Sequence, residues 1–241
     1  MYDSERSSHM NEWLWFPSIL ITMGLLLLSY RLFGKTGLMM WIAIATIIAN
    51  IQVTQQVELY SYIFTLGNVV YGSCYLATDI LNEKYGKKVA RQGVYMGFFS
   101  LITTTLLMQY SLLYTPLNDT LAKDMSNSLN LLFGLLPWIA LGSLSAYLVS
   151  QLFDVFIYSK IRQKTGEKKL WLRTTGSTVL SQLIDTLTFC AIAFHNLPFD
   201  IWWQIFITTY LAKFVIAWVA TPFMYIAKRI HPTAPSKDLA A

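Results

Sequence analysis

Of the 241 residues, 55% are hydrophobic and only 13% are charged, and the apolar residues fall in long runs, which excludes an ordinary soluble domain and reads as a polytopic membrane protein. The longest clearly polar stretch has fewer than twenty residues, too few to build a packed core of its own. The net charge of +5 is spread over short loops beside apolar runs, where basic residues set topology, so no nucleic-acid partner is expected.

The first dozen residues are polar and slightly acidic, with neither the basic start of a signal peptide nor a small-residue cleavage site after the first apolar run. The first span is therefore expected to be retained, and Met10 offers an alternative start. Seven segments reach the roughly 20 residues that a bilayer crossing needs: 13–33, 36–57, 62–82, 92–115, 132–159, 172–194 and 201–227. In the third, Gly67, Asn68 and Gly72 dilute the apolar run while Asp79 and Glu83 crowd its end, so a broken or re-entrant helix is an alternative there.

Charge supports the count. Arg31 and Lys35 follow the first segment, Lys84, Lys87, Lys88 and Arg91 the third, Lys160, Arg162, Lys164, Lys168, Lys169 and Arg173 the fifth, and Lys228, Arg229 and Lys237 the seventh, fifteen of the eighteen basic residues. The intervening loops hold only Arg6 and Lys123 among acidic neighbours. This alternation predicts an all-α, seven-span transmembrane helix bundle with its N-terminus outside and its C-terminus in the cytoplasm. Cys74 and Cys190 lie within apolar segments without metal-ligand spacing, so they read as packing thiols and no metal is expected.

The remaining basic residue, Lys213, falls near the middle of the seventh segment. Asp185 lies 12 residues beyond Arg173, roughly 18 Å into the sixth, and Lys213 is about as deep from the other face, so the two can meet near the midplane. Asp185 ends the motif Ser181-Gln182-Leu183-Ile184-Asp185, and a near-copy, Ser150-Gln151-Leu152-Phe153-Asp154, lies one segment earlier on a helix running the opposite way. Each motif puts an amide and a carboxylate on one helical face. A charge in a span marks a functional site by default, while the same groups can also simply join helices by hydrogen bonds. With no longer self-similarity between the halves of the chain, the five-residue match reads as an echo and not as an inverted repeat. Asn50 and Gln52 add polar groups toward the outer side, and Asp79, Glu83 and Asp154 toward the cytoplasmic side.

Catalysis finds little support. The contexts Leu-Phe-Asp154 and Leu-Ile-Asp185 lack the motifs of intramembrane aspartyl proteases, no nucleophile elbow surrounds Ser143 or Ser177, and no phosphate-binding loop is present. Tyr71, Tyr75 and Phe189 sit in spans that bear carboxylates and could stack on a planar ligand, although packing explains each of them.

The stretch Ala77-Thr78-Asp79-Ile80-Leu81-Asn82-Glu83-Lys84-Tyr85-Gly86, followed by Ala90-Arg91, together with Ser181-Gln182-Leu183-Ile184-Asp185-Thr186-Leu187-Thr188-Phe189 and Lys213, resembles the queuosine precursor transporter family of the vitamin uptake transporter group over roughly residues 37–229. The resemblance implies a six-helix inner-membrane core at 36–229; the polar N-terminus and extra span at 1–35 depart from the family's pattern, and a cytoplasmic tail is expected at 230–241. It further implies import of 7-cyano-7-deazaguanine or 7-aminomethyl-7-deazaguanine for tRNA modification, without a cofactor and with homo-oligomerisation left open. A substrate-capture subunit that needs a separate energising module is the alternative. Such a base presents adjacent N–H donors beside an acceptor oxygen, which a carboxylate and an ammonium or amide can read. The residues expected to bind it are Asp185, Lys213, Asn50 and Gln182, with Asp79, Asp154, Gln151, Phe189 and Tyr75 around them. Glu83 and Arg91 are expected to be structural, with Glu83 bridged to Lys84, Lys87 or Arg91.

Overall fold

The computed structural model describes residues 2–59, 62–134, 137–166 and 168–233. Lys237 and the rest of the tail from residue 234 lie outside the described residues, as do the side chains of residues 2–9. The chain folds into α1 (Tyr2–Gln52), a hairpin of β1 (Gln56–Leu59) and β2 (Tyr62–Thr65), then α2 (Gly67–Tyr85), α3 (Lys87–Ser111), α4 (Thr120–Phe133), α5 (Pro137–Thr165), α6 (Leu170–Ala193) and α7 (Phe199–Arg229).

α1 is two helices joined at Gly34, whose φ of 57° and ψ of −134° break the helical path. Ser29 Oγ donates to the Gly37 carbonyl at 2.9 Å, although eight residues of straight helix rise about 12 Å. The chain therefore doubles back here, as expected between segments 13–33 and 36–57. Gly37 permits the close approach, since a Cβ there would lie 2.2 Å from the Ser29 carbonyl oxygen.

Four helical stretches are long and apolar enough to cross a membrane: Met10–Gln52, which contains the Gly34 turn, Leu141–Thr165, Leu170–Ala193 and Phe199–Arg229. α2 and α3 are not among them, and for α2 the reason is its position. It packs against α1, α3, α5, α6 and α7, and every residue from Gly72 to Glu83 is buried. A helix enclosed by protein on all sides can carry Ser73, Thr78, Asp79, Asn82 and Glu83 at no cost to a lipid-facing surface. The bundle is thus polar within and apolar without, and Leu183, Leu187, Leu211, Val215, Trp218 and Ile226 are exposed on the outer faces of α6 and α7. That distribution belongs to a multi-pass membrane protein.

Two elements depart from the all-helical expectation. Residues expected to close the second segment and open the third instead form the β1–β2 hairpin, with Gln56 opposite Thr65 and Leu59 opposite Tyr62. The third segment accordingly starts as strand and becomes helix only at Gly67, after which α2 is unbroken to Tyr85. The expected fifth segment begins five residues late, because α4 ends at Phe133 and Gly134 follows it as a cap. α4 is capped by Asp119, whose carboxylate accepts from the Ala122 backbone N–H at 2.9 Å, and no residue in it is buried. Its apolar residues Leu121, Met125, Leu129 and Leu132 recur at helical spacing, the pattern of a helix lying on an interface.

The four basic loops converge on one end of the bundle. The Thr233 backbone N–H donates to the Arg31 carbonyl at 2.8 Å, Lys84 Nζ to the Lys228 carbonyl at 2.7 Å, and Arg162 Nη1 to the carbonyls of Asn82 and Glu83 at 3.0 and 2.9 Å.

Candidate functional site

α5 and α6 are antiparallel neighbours joined by a short loop, and the two Ser-Gln-Leu-aromatic/aliphatic-Asp motifs face each other across their contact. Ser150 Oγ donates to Asp185 Oδ1 at 2.9 Å, and Ser181 Oγ donates to Asp154 Oδ1 at 3.1 Å. Each serine thus serves the aspartate of the other motif. The echo in the sequence is a local two-fold relation in space, confined to this helix pair.

Around Asp185 the partners are complete. Tyr71 Oη donates to its Oδ1 at 2.6 Å, and Lys213 Nζ pairs with its Oδ2. Tyr75 Oη donates to Ser150 Oγ at 2.7 Å, orienting that hydroxyl toward the carboxylate. Lys213 Nζ also lies 5.4 Å from the Tyr71 ring centroid, a cation–π distance. Asp185 is only 3% exposed and Lys213 only 7%, so each charge is held by the other and by hydroxyls from α2 and α5. The meeting expected from helix rise takes place, and Tyr71 donates its hydroxyl to the carboxylate while its ring lies beside the ammonium.

One turn toward the basic end lies a second group with a different character. Asp79, 1% exposed, and Asp154, fully buried, face each other. The two carboxyls are each other's hydrogen-bond partners, while among the described residues Nε2 of Gln151 and Oε1 of Gln182 have no hydrogen-bond partner. Gln151 Oε1 lies 3.3 Å from Thr78 Oγ1. Gly72, Tyr75, Asp79, Thr174, Thr178, Gln182, Ala217 and Ala220 wall a small cavity with room for about one water.

A third group closes the basic end. Arg173 is fully buried and grips Glu83 with Nε at 3.0 Å from Oε2 and Nη2 at 2.5 Å from Oε1. Tyr158 Oη donates to Oε2 at 2.9 Å, Lys228 Nζ lies 3.3 Å from Oε1 and Arg162 Nε lies 3.7 Å from Oε2. Glu83 is thus bridged from α5, α6 and α7, not from the expected Lys84, Lys87 or Arg91; Lys84 turns to a carbonyl and Arg91 is exposed on α3. Glu83 thus ties α2 to three neighbouring helices.

Asn50 lies apart from this cluster, and Phe189 is one helical turn beyond Asp185 on α6. Asn50 Nδ2 donates to the Thr46 carbonyl at 2.9 Å, and its side chain lines a separate cleft with Ile47, Thr104, Thr105, Gln109 and Phe133, at the end opposite the basic loops. Phe189 packs edge-on against Phe194 with ring centroids 5.5 Å apart. Sequence reasoning missed the parts played by Ser150, Tyr158 and Arg173. For Ser150 the signal was in the repeated motif itself, and for Arg173 in the polar run Arg173-Thr174-Thr175 at the start of an apolar helix.

Comparison with known proteins agrees with this picture. The sequence model of a family described as "Putative vitamin uptake transporter" matches residues 65–227. A Bacillus subtilis protein named "Probable queuosine precursor transporter" is 46% identical over 224 residues, covering 92% of this chain and 96% of its own length. The Escherichia coli "Queuosine precursor transporter" is 28% identical over 184 residues, 73% of this chain and 78% of the relative. A Haemophilus influenzae relative, also named "Probable queuosine precursor transporter", is 28% identical over 162 residues, 65% of each chain. No solved structure matches the chain significantly.

Proposed function

The chain belongs to the vitamin uptake transporter family, and from that premise we propose that it imports a queuosine precursor, 7-cyano-7-deazaguanine or 7-aminomethyl-7-deazaguanine, across the cytoplasmic membrane. It is a transporter and not an enzyme, and its relatives carry the name of queuosine precursor transporters. The observation that supports the substrate class is the buried Asp185–Lys213 pair flanked by the hydroxyls of Tyr71 and Ser150. The pairing edge of a deazaguanine offers two adjacent N–H donors to a carboxylate, and its ring oxygen accepts from an ammonium. Substrate enters by replacing the direct contact between Lys213 and Asp185, so that the base lies between the two charges and neither is stranded. A bicyclic base exceeds the water-sized cavity beside Gln182. Binding therefore requires α7 to part from α2 and α6, where Gly72, Ala217 and Ala220 keep the helix contact smooth.

The decisive experiment is uptake of each radiolabelled base into liposomes that contain only this purified chain. Accumulation of either base, competed by the other and not by guanine at equal concentration, is the expected result. Uptake only when a separate energising protein is added would make the chain a capture subunit.

The convergence of the basic loops on one end supports placing that end in the cytoplasm. With that end cytoplasmic, seven crossings put the N-terminus outside, with α2 crossing as an enclosed helix and α3 with apolar residues such as Phe99, Leu106 and Leu107 on its outer face. Single cysteines at Lys87 and Lys168 should be labelled by an impermeant maleimide only from the cytoplasmic side, and those at Glu58 and Lys123 only from outside. Labelling of Lys123→Cys from the cytoplasm alone would sink this topology.

A further inference from the structure

Four carboxylates are buried along the inner faces of α2, α5 and α6: Asp79, Glu83, Asp154 and Asp185. Among the described residues two cations are buried with them, Arg173 paired with Glu83 and Lys213 paired with Asp185. Among the described residues no ion pair reaches Asp79 or Asp154. Two carboxyls that face each other in a dry interior cannot both stay ionised without a positive charge between or beside them. The nearest cation, Arg173, is paired with Glu83, and the groups beside the carboxyls are neutral amides and hydroxyls. Gln182 Oε1 and Thr174 Oγ1 are unpartnered, their side chains are 2% and 3% exposed, and both line the same water-sized cavity as Asp79. Ser181 and the neighbouring Ser177 and Thr178 surround Asp154 from α6.

We propose that Asp79 and Asp154, with Gln182 and Thr174, form the site for one monovalent cation, a proton or a sodium ion, whose movement drives substrate uptake. The carboxylate, amide-carbonyl and hydroxyl oxygens offered here suit a hard cation of small radius, and the cavity beside Asp79, with Asp154 just behind it, admits one species of about the size of water. The site shares Tyr75 and the α6 motif with the substrate pair, since Gln182 lies one helical turn from Asp185, so the loading of one is felt by the other. The charged and titratable groups facing Asp79 are Asp154 and Tyr158 on α5, Arg173 on α6 and Glu83 one turn along α2; among the described residues α7 brings Lys213, paired with Asp185, and Lys228, near Glu83. The driving role rests on the reading of the chain as a transporter, whereas the binding site does not.

The test is thermal unfolding of the full-length protein in detergent without substrate. Sodium is exchanged for choline at constant ionic strength, and in a second series the pH runs from about 5 to 9. A sodium site raises the melting temperature by about 5 °C at saturating sodium; a proton site leaves it indifferent to sodium and moves it with pH. Asp79→Asn abolishes whichever response is seen, and should that variant not fold, Asp154→Asn carries the same test. Thr174→Val removes a hydroxyl that has no partner, so it folds normally. It weakens a sodium response several-fold and leaves a proton response as it was. A wild-type protein indifferent to both sodium and pH, or a response undiminished in both asparagine variants, overturns the proposal. The deazapurine reading is judged separately, and fails if wild-type liposomes take up neither base.

Discussion

Asp185→Asn should reduce uptake of the deazapurine at subsaturating concentration by about 100-fold while leaving membrane insertion intact. The amide keeps the shape of the carboxylate but offers one acceptor oxygen to the two donors of the base, and about 3 kcal/mol of charge-assisted hydrogen bonding goes with the lost charge. Insertion should become slightly easier, since a neutral side chain replaces an ionisable one. The same variant strands Lys213, so it should unfold at lower temperature than wild type, and Lys213→Met alone should do the same by stranding Asp185. The double variant recovers much of that loss, with a coupling of about 1 to 3 kcal/mol, although it remains inactive. Thermal unfolding over this cycle reads the pair, and uptake reads the site. Strictly additive stabilities would mean that the two side chains do not meet, and near-normal uptake by Asp185→Asn would return Asp185 to a helix-joining role.

Arg173→Met should be the most destabilising single change in the protein, by about 3 to 5 kcal/mol, because it leaves Glu83 buried against Tyr158 with only the more exposed Lys228 and Arg162 to answer its charge. Arg173 Nη1 also donates to the carbonyls of Gly166 and Lys168 at 2.9 and 3.0 Å, so the loop between α5 and α6 loses its anchor as well. Glu83→Gln combined with Arg173→Met should restore most of the stability, as a neutral pair of similar volume. The measurement is the melting temperature in detergent of the two singles and the double. An Arg173→Met protein as stable as wild type would show that Glu83 is held by its other partners.

The Asp185–Lys213 contact was legible in the sequence because helix rise is fixed, and a count of residues from two opposite faces gives depth without any knowledge of packing. The ion cluster was not. Arg173 reads as one more basic loop residue, and only the way α6 enters the bundle turns it inward to Glu83. Which of many nearby cations would meet Glu83 depended on how α5, α6 and α7 surround α2, and linear proximity pointed to Lys84, Lys87 and Arg91. Asn50 shows the converse, since its span was a fair candidate to reach Asp185 while the residue itself lies in a separate cleft at the end opposite the basic loops. The β1–β2 hairpin was missed because its apolar residues Val57, Leu59, Tyr62 and Phe64 extend the hydropathy of the flanking spans. Their alternation was a strand signal. α4 was missed for a related reason, its helical spacing being masked by an overall polarity that reads as a loop.

The crossed serine–aspartate contacts of α5 and α6 also set an order for biogenesis. Both bonds lie within a single helical hairpin, so they can close as soon as α6 leaves the insertion machinery, while the chain beyond it is still being synthesised. The hairpin can therefore enter the lipid with its two carboxyls already answered by hydroxyls, and Lys213 arrives last, on α7, as the charge that locks a structure already assembled.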